Sequence, residues 1–179
     1  MMKNKKAQSA LEFLTTYGWA FLVILIMIGA LGYFGILNPT RYLPERCNVN
    51  SEFACDEFSV VDQSDDMNIS VVLRNSLGQA INVSTAGDDI VLVSDYFNGQ
   101  VNASSSDTTC VIEGESEGSS VVIEANQEFL FNCRINSPDL AVSLPGSGNK
   151  VAVEFNLQYL PQGKSLRKSI AGEVFATVQ

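Results

Sequence analysis

The chain is 179 residues long, enough for one ordinary domain and an appendage. It has no histidine, which excludes His-based triads, His general bases and His metal sites, and its net charge of −9 makes nucleic acid a poor partner for the bulk surface. Hydrophobic residues make up 46% of the chain, but much of that apolarity lies between Phe13 and Leu37, leaving a polar, acidic remainder rich in Ser, Asn and Val.

The first seven residues, MMKNKKA, carry Lys3, Lys5 and Lys6 and no acid. From Trp19 to Leu37 no side chain is charged or strongly polar. A helix over Phe13 to Leu37 would span roughly 37 Å, sufficient to cross a ~30 Å hydrocarbon core with some tilt. Asn38-Pro39 predicts its end, because proline cannot continue the hydrogen-bond ladder and disfavours helical geometry in the residue before it. The lysines place the short end in the cytoplasm, so everything after Pro39 is expected outside. An ordinary secretory signal peptide has a shorter apolar core followed by its cleavage site. Neither that nor a plain signal anchor explains Glu12.

A carboxylate at the edge of an apolar helix is costly, up to ~3 kcal/mol if carried toward the bilayer centre. If the chain is cut between Ala7 and Gln8, the new α-amine of Gln8 is positive near neutral pH and one helical turn from Glu12. Glu12 can then pair with its own amine or with that of a neighbouring copy, and in the second case a charge unsatisfied in the monomer is satisfied in a polymer. Glu12 can equally be no more than a favourable charge at the positive end of the helix dipole. Physics alone leaves both open. Cleavage would remove Lys3, Lys5 and Lys6 and take the side-chain charge from −9 to −12.

The stretch KKAQSALEFLTTYGWAFLVILIMIGALGYFGILNP closely resembles the start of archaeal type IV prepilins with a class III signal peptide. Lys5-Lys6-Ala7-Gln8-Ser9, Glu12 at the fifth position after the cut and the helix to Leu37 match in order and spacing, and the Tyr17-Gly18-Trp19 triplet is also familiar in that family. The resemblance implies cleavage after Ala7 by a prepilin peptidase and bundling of residues 8–38 into a filament core. It further implies an assembly ATPase and a polytopic platform protein as partners. It covers about a fifth of the chain and leaves the outer part unmatched. The helix has no internal proline, so it is expected to be continuous in the filament. Gly29, Gly32 and Gly35 would let helices approach closely, although a three-residue spacing drifts around the helix and membrane helices tolerate glycine in any case.

After a short linker at 39–46, the pattern becomes β. Val151, Val153, Phe155, Leu157 and Tyr159 alternate, as do Met67 to Leu73, Phe129 to Ile135, and Ile170, Val174, Ala176 and Val178. Shorter apolar runs lie at Phe58–Val61, Ile90–Val93, Cys110–Ile112 and Val121–Ile123, and glycine-bearing turns such as Asn98-Gly99 and Gln162-Gly163 separate the runs. About eight strands at this spacing predict a sandwich or small barrel over 47–179. The fold class is therefore α+β: leader 1–7, helix 8–38, linker 39–46 and an all-β head.

Cys47, Cys55, Cys110 and Cys133 all follow the apolar segment and form no CxxC pair, which points to two disulfides in an oxidising space. Of three connectivities, Cys47–Cys55 and Cys110–Cys133 join the nearest pairs and would contribute roughly 2.5 and 3.5 kcal/mol by loop closure. Four buried free thiols are the alternative. Asn68, Asn82 and Asn102 begin N-x-S sequons, which also arise by chance in an Asn- and Ser-rich chain. Acidic clusters at Asp62, Asp65 and Asp66 and at Asp88 and Asp89 offer oxygen donors for calcium, but not at EF-hand spacing, and acidic turns account for them equally.

The sequence thus predicts a non-enzymatic subunit without cofactor, held in the membrane before assembly and then polymerised with copies of itself into an adhesive extracellular pilus. A pilin-anchored module for a sugar or other ligand, or a minor tip subunit, is the alternative.

Overall fold

The computed structural model describes residues 5–34, 43–63, 66–86, 89–103, 108–116 and 118–179. The chain divides into two compact units, Met1–Leu43 and Pro44–Gln179. The first contains α1, Lys5–Tyr33. Its stretch Thr15–Tyr33 has a mean hydropathy of 1.8 and is long and apolar enough to cross a membrane. Where the helix turns apolar, the Thr15 and Thr16 hydroxyls both donate to the Glu12 carbonyl, at 3.0 and 2.9 Å. Helical threonines can hide their hydroxyls in this way, against the preceding turn. The expected stop at Asn38-Pro39 lies outside the described residues.

The second unit is a β-sandwich of two antiparallel sheets, so the chain as a whole is α+β. Its strands, among the described residues, are β1 (Arg46–Val49), β2 (Phe53–Gln63), β3 (Asp66–Asn75), β4 (Ile81–Ser84), β5 (Ile90–Val93) and β6 (Gln100–Asn102), then β7 (Thr108–Ile112), β8 (Ser120–Ile123), β9 (Glu128–Ile135), β10 (Lys150–Pro161) and β11 (Lys168–Thr177). The eight alternating or apolar runs all appear as strands. The additional ones, β1, β4 and β6, are three or four residues long, too short to display a period of two. β1 begins at Arg46, so the head takes in the end of the stretch expected to be linker.

The four-stranded sheet has the order β2-β3-β9-β7, and the seven-stranded one runs β1-β11-β10-β4-β8 with β5 and β6 attached through β10. β10 organises the larger sheet. One edge pairs with β11 along Lys150 to Tyr159; the other pairs first with β5, at Glu154 to Leu157, and then with β4, at Tyr159 to Pro161. Val151, Val153, Phe155, Leu157 and Tyr159 are all buried, facing a core that includes Met67, Ile69, Val71 and Leu73 of β3 and Phe129, Phe131 and Ile135 of β9. Gly172 stands opposite Phe155 on β11 because the ring fills its place: a Cβ there would lie 2.4 Å from Phe155 Cζ and 2.8 Å from Val49 Cγ1.

Two covalent and two polar devices join these elements. The Cys47–Cys55 disulfide links β1 of one sheet to β2 of the other, whereas Cys110–Cys133 links register partners of β7 and β9 within the smaller sheet. The C-terminus also crosses between layers: Val178 bridges Val60, and Gln179 exchanges backbone hydrogen bonds with Val60 and Asp62. Asn75, fully buried at the end of β3, donates through Nδ2 to the carbonyls of Gln79 at 2.8 Å, Glu124 at 3.0 Å and Ile123 at 3.4 Å, and accepts from the Leu77 N–H at 3.1 Å. One amide therefore ties the β3–β4 connection to the β8–β9 turn.

Candidate functional site

The first candidate site is α1 itself. Phe13, Tyr17, Trp19, Phe21, Ile24 and Met27 are exposed, and so are others through Phe34, on every side of the helix. A helix apolar all round is stable only in lipid or when packed among other helices. Ala7 and Gln8 lie in the first turns of α1 with their side chains outside the described ones, and the helical backbone sets Gln8 one turn before Glu12, which is exposed.

In the head, the three sequon asparagines lie on strands. Asn68 lies on β3 between Val61 of β2 and Arg134 of β9, inside a sheet rather than on a loop. Its sequon hydroxyl, Ser70 Oγ, already accepts from Asn132 Nδ2 at 2.9 Å. Asn82 is likewise flanked on both sides, by Leu160 and Val122. The Oδ1 atoms of Asn68 and Asn82 are buried without a hydrogen-bond partner. Asn102 lies on β6, which among the described residues pairs only with β5. Glycan transfer to Asn68 or Asn82 would therefore have to precede sheet formation. Of the acidic clusters, Asp62 and Asp66 stay close across the β2–β3 hairpin, Asp66 pairs with Arg134 at 3.1 Å and Asp89 pairs with Arg167, while Asp65 and Asp88 lie outside the described residues.

A polar network that no local motif announces joins the β1–β2 turn to the β10–β11 hairpin. The Tyr159 hydroxyl donates to Glu52 Oε2 at 2.6 Å, and Lys168 Nζ donates to Glu52 Oε1 at 3.0 Å. The Phe53 and Tyr159 rings meet edge to face with centroids 5.3 Å apart. The hydrogen bond from Tyr159, followed by that from Lys168, holds the Glu52 carboxyl below its ordinary value. Burial, reinforced by the bond to Glu52, pushes the Tyr159 hydroxyl above its own. The Glu52 contribution to stability is therefore complete above the ordinary carboxylate range of about 4.3 and is lost as pH falls through the lowered folded value. The Tyr159 contribution is complete below about 10 and is lost as pH rises toward the raised folded value. Tyr159→Phe should lower stability by about 1 kcal/mol at neutral pH and flatten the alkaline limb, as read from urea midpoints across pH. An unchanged alkaline limb would remove Tyr159 as its source.

The larger sheet also bears a groove of about 700 Å³ whose lining includes Asn48, Gln100, Asn156, Gln158, Glu154 and Glu173. Amides and carboxylates of this kind can hydrogen-bond a hydroxyl-rich ligand.

No protein-family model and no curated protein matches the sequence. Among solved structures, the ASH / PapD-like domain of human CEP192 superposes with a TM-score of 0.35 at 11% identity, over 72% of this chain and 84% of that one. The GAE domain of GGA2p from Saccharomyces cerevisiae gives 0.35 at 12%, over 76% and 98%. The CooA pilin subunit from enterotoxigenic Escherichia coli gives 0.33 at 9%, over 68% and 88%. At this level none of the three transfers a role. The chain is a protein with one apolar N-terminal helix and a disulfide-bridged β-sandwich head. That arrangement is compatible with a secreted or membrane-anchored surface protein.

Proposed function

We propose that this chain is an archaeal type IV pilin, a structural rather than catalytic subunit of an adhesive surface filament. The observation that carries the proposal is a helix apolar on all sides, with Glu12 one turn after Gln8 at its start and an independently cored, disulfide-bridged head following it. Lipid covers that helix in the precursor. After a prepilin peptidase cuts between Ala7 and Gln8, the same surface is covered by the helices of other copies, driven by an assembly ATPase on a platform protein. The Gln8 α-amine of one copy pairs with Glu12 of another, so joining the bundle satisfies a charge that the lone helix leaves exposed to the membrane interface. The head forms the extracellular coat.

Glu12→Ala should leave membrane insertion and processing intact while lowering the yield of sheared filament about tenfold or more, equivalent to ~1.4 kcal/mol per added subunit. Mass spectrometry of the sheared fraction should find a mature chain beginning at Gln8. Normal filament yield from the variant would remove Glu12 from assembly, and a terminus near residue 38 would instead mean secretion of a soluble head.

A further inference from the structure

We infer that the tip of the β10–β11 hairpin of one copy docks into an acidic, partly apolar groove on the head of a second copy; the inference rests on the filament reading and adds a specific head-to-head contact to it. The tip runs Gln162-Gly163-Lys164-Ser165-Leu166-Arg167, turning through Gly163 at a φ of 74°. Leu166 at its apex is 80% exposed, the highest value of any large hydrophobic among the described head residues. A single exposed leucine means little by itself. Its setting is what matters: Lys164, Arg167 and Lys168 surround it on a strongly acidic chain. Own-chain carboxylates offset two of these cations, Asp89 for Arg167 and Glu52 for Lys168, leaving the tip with one positive charge in excess. Both of those cations are more than half exposed, so their pairs are weak and free to re-partner.

The complementary surface is a groove of about 460 Å³ lined from β2, β3, β7, β8 and β9. Val72, Val121 and Leu130 supply its apolar part, and Glu57, Glu113 and Glu128 its charge. Arg74 bridges Glu128 and the adjacent Asp56. Four carboxylates against one guanidinium leave about three negative charges, and among the described residues no cation pairs with Glu57 or Glu113. Apolar and acidic side chains in one groove match an exposed leucine flanked by lysine and arginine, and the leucine side chain is small enough for the groove. Tip and groove share no residue, so each copy presents both halves of the contact. Such a heterologous contact repeats from copy to copy, and where its rotation does not close into a ring it builds a helical filament.

All four native cysteines are in disulfides, so introduced thiols can be cross-linked selectively. Two differently tagged full-length copies are co-expressed in the native host, one carrying Leu166→Cys and the other Val72→Cys, and intact cells are treated with a short bismaleimide. A parallel pair carries Ile24→Cys in both copies and reports contact between helices. The expected result is a mixed-tag product from the 166/72 pair that falls severalfold when Lys164→Glu is added and recovers with Glu113→Lys on the partner. No 166/72 product while the Ile24→Cys copies still cross-link overturns the docking contact and leaves the filament reading standing. Failure of both pairs overturns the contact together with that reading. Product indifferent to Lys164→Glu overturns the charge matching on which the inference is built.

Discussion

Replacing Asn75 with aspartate should cost the head roughly 3–5 kcal/mol at neutral pH, the penalty of an uncompensated buried charge. The native amide points its Nδ2 at three carbonyl oxygens in a position with no solvent exposure. A carboxylate of the same shape would set negative charge against those oxygens with only the Leu77 N–H to offset it. Protonation relieves part of the conflict, so the variant should regain stability as pH falls, whereas the parent should not. Asn75→Ala should fall between the two, at about 1–3 kcal/mol, because it removes the amide donor from the three carbonyls and the acceptor from the Leu77 N–H. Urea unfolding of full-length protein at several pH values checks both variants. An aspartate variant within about 1 kcal/mol of the parent would mean that the β3–β4 and β8–β9 connections relax apart at little cost.

The second large effect concerns the disulfides. The Cys110→Ala/Cys133→Ala double variant should lose about 3.5 kcal/mol, and the Cys47→Ala/Cys55→Ala variant about 2.5 kcal/mol, because the first bridge closes the longer loop in the unfolded chain. The sequence separations are 23 and 8 residues. Cys110 and Cys133 are also completely buried, so their removal leaves a void between β7 and β9 that adds to the entropic loss. The shorter bridge spans the two layers, and its loss should show in local exchange as well: amides of β1 and β2 should gain faster hydrogen exchange before the core does. Equal losses from the two double variants, measured by denaturant unfolding, would show that sheet-to-sheet constraint outweighs loop length.

The helix was legible because its signal is one-dimensional. Uninterrupted apolar side chains over Trp19 to Tyr33 define both the element and the environment it needs, with no reference to the rest of the chain. The strands were legible where they are long enough to alternate: Val151 to Tyr159 on β10 predicts a buried face, and all five side chains are buried. Period two reports which side of a strand faces inward and says nothing about its neighbour. That β10 meets β5 and then β4 along one edge, that Cys47–Cys55 bridges two layers, and that Glu52 meets Tyr159 across 107 residues are outcomes of long-range closure. Asn75 shows the limit most plainly. In sequence it is a polar residue before a Ser-Leu-Gly turn; in the fold it is buried, and two connections nearly 50 residues apart hang on its amide. The sequence by itself determined an apolar helix, an alternating β head and two candidate disulfides, because these follow from composition, period and count. Tertiary structure alone decided which strands adjoin, which polar groups are satisfied and which surfaces stay open, because those depend on contacts between residues far apart along the chain.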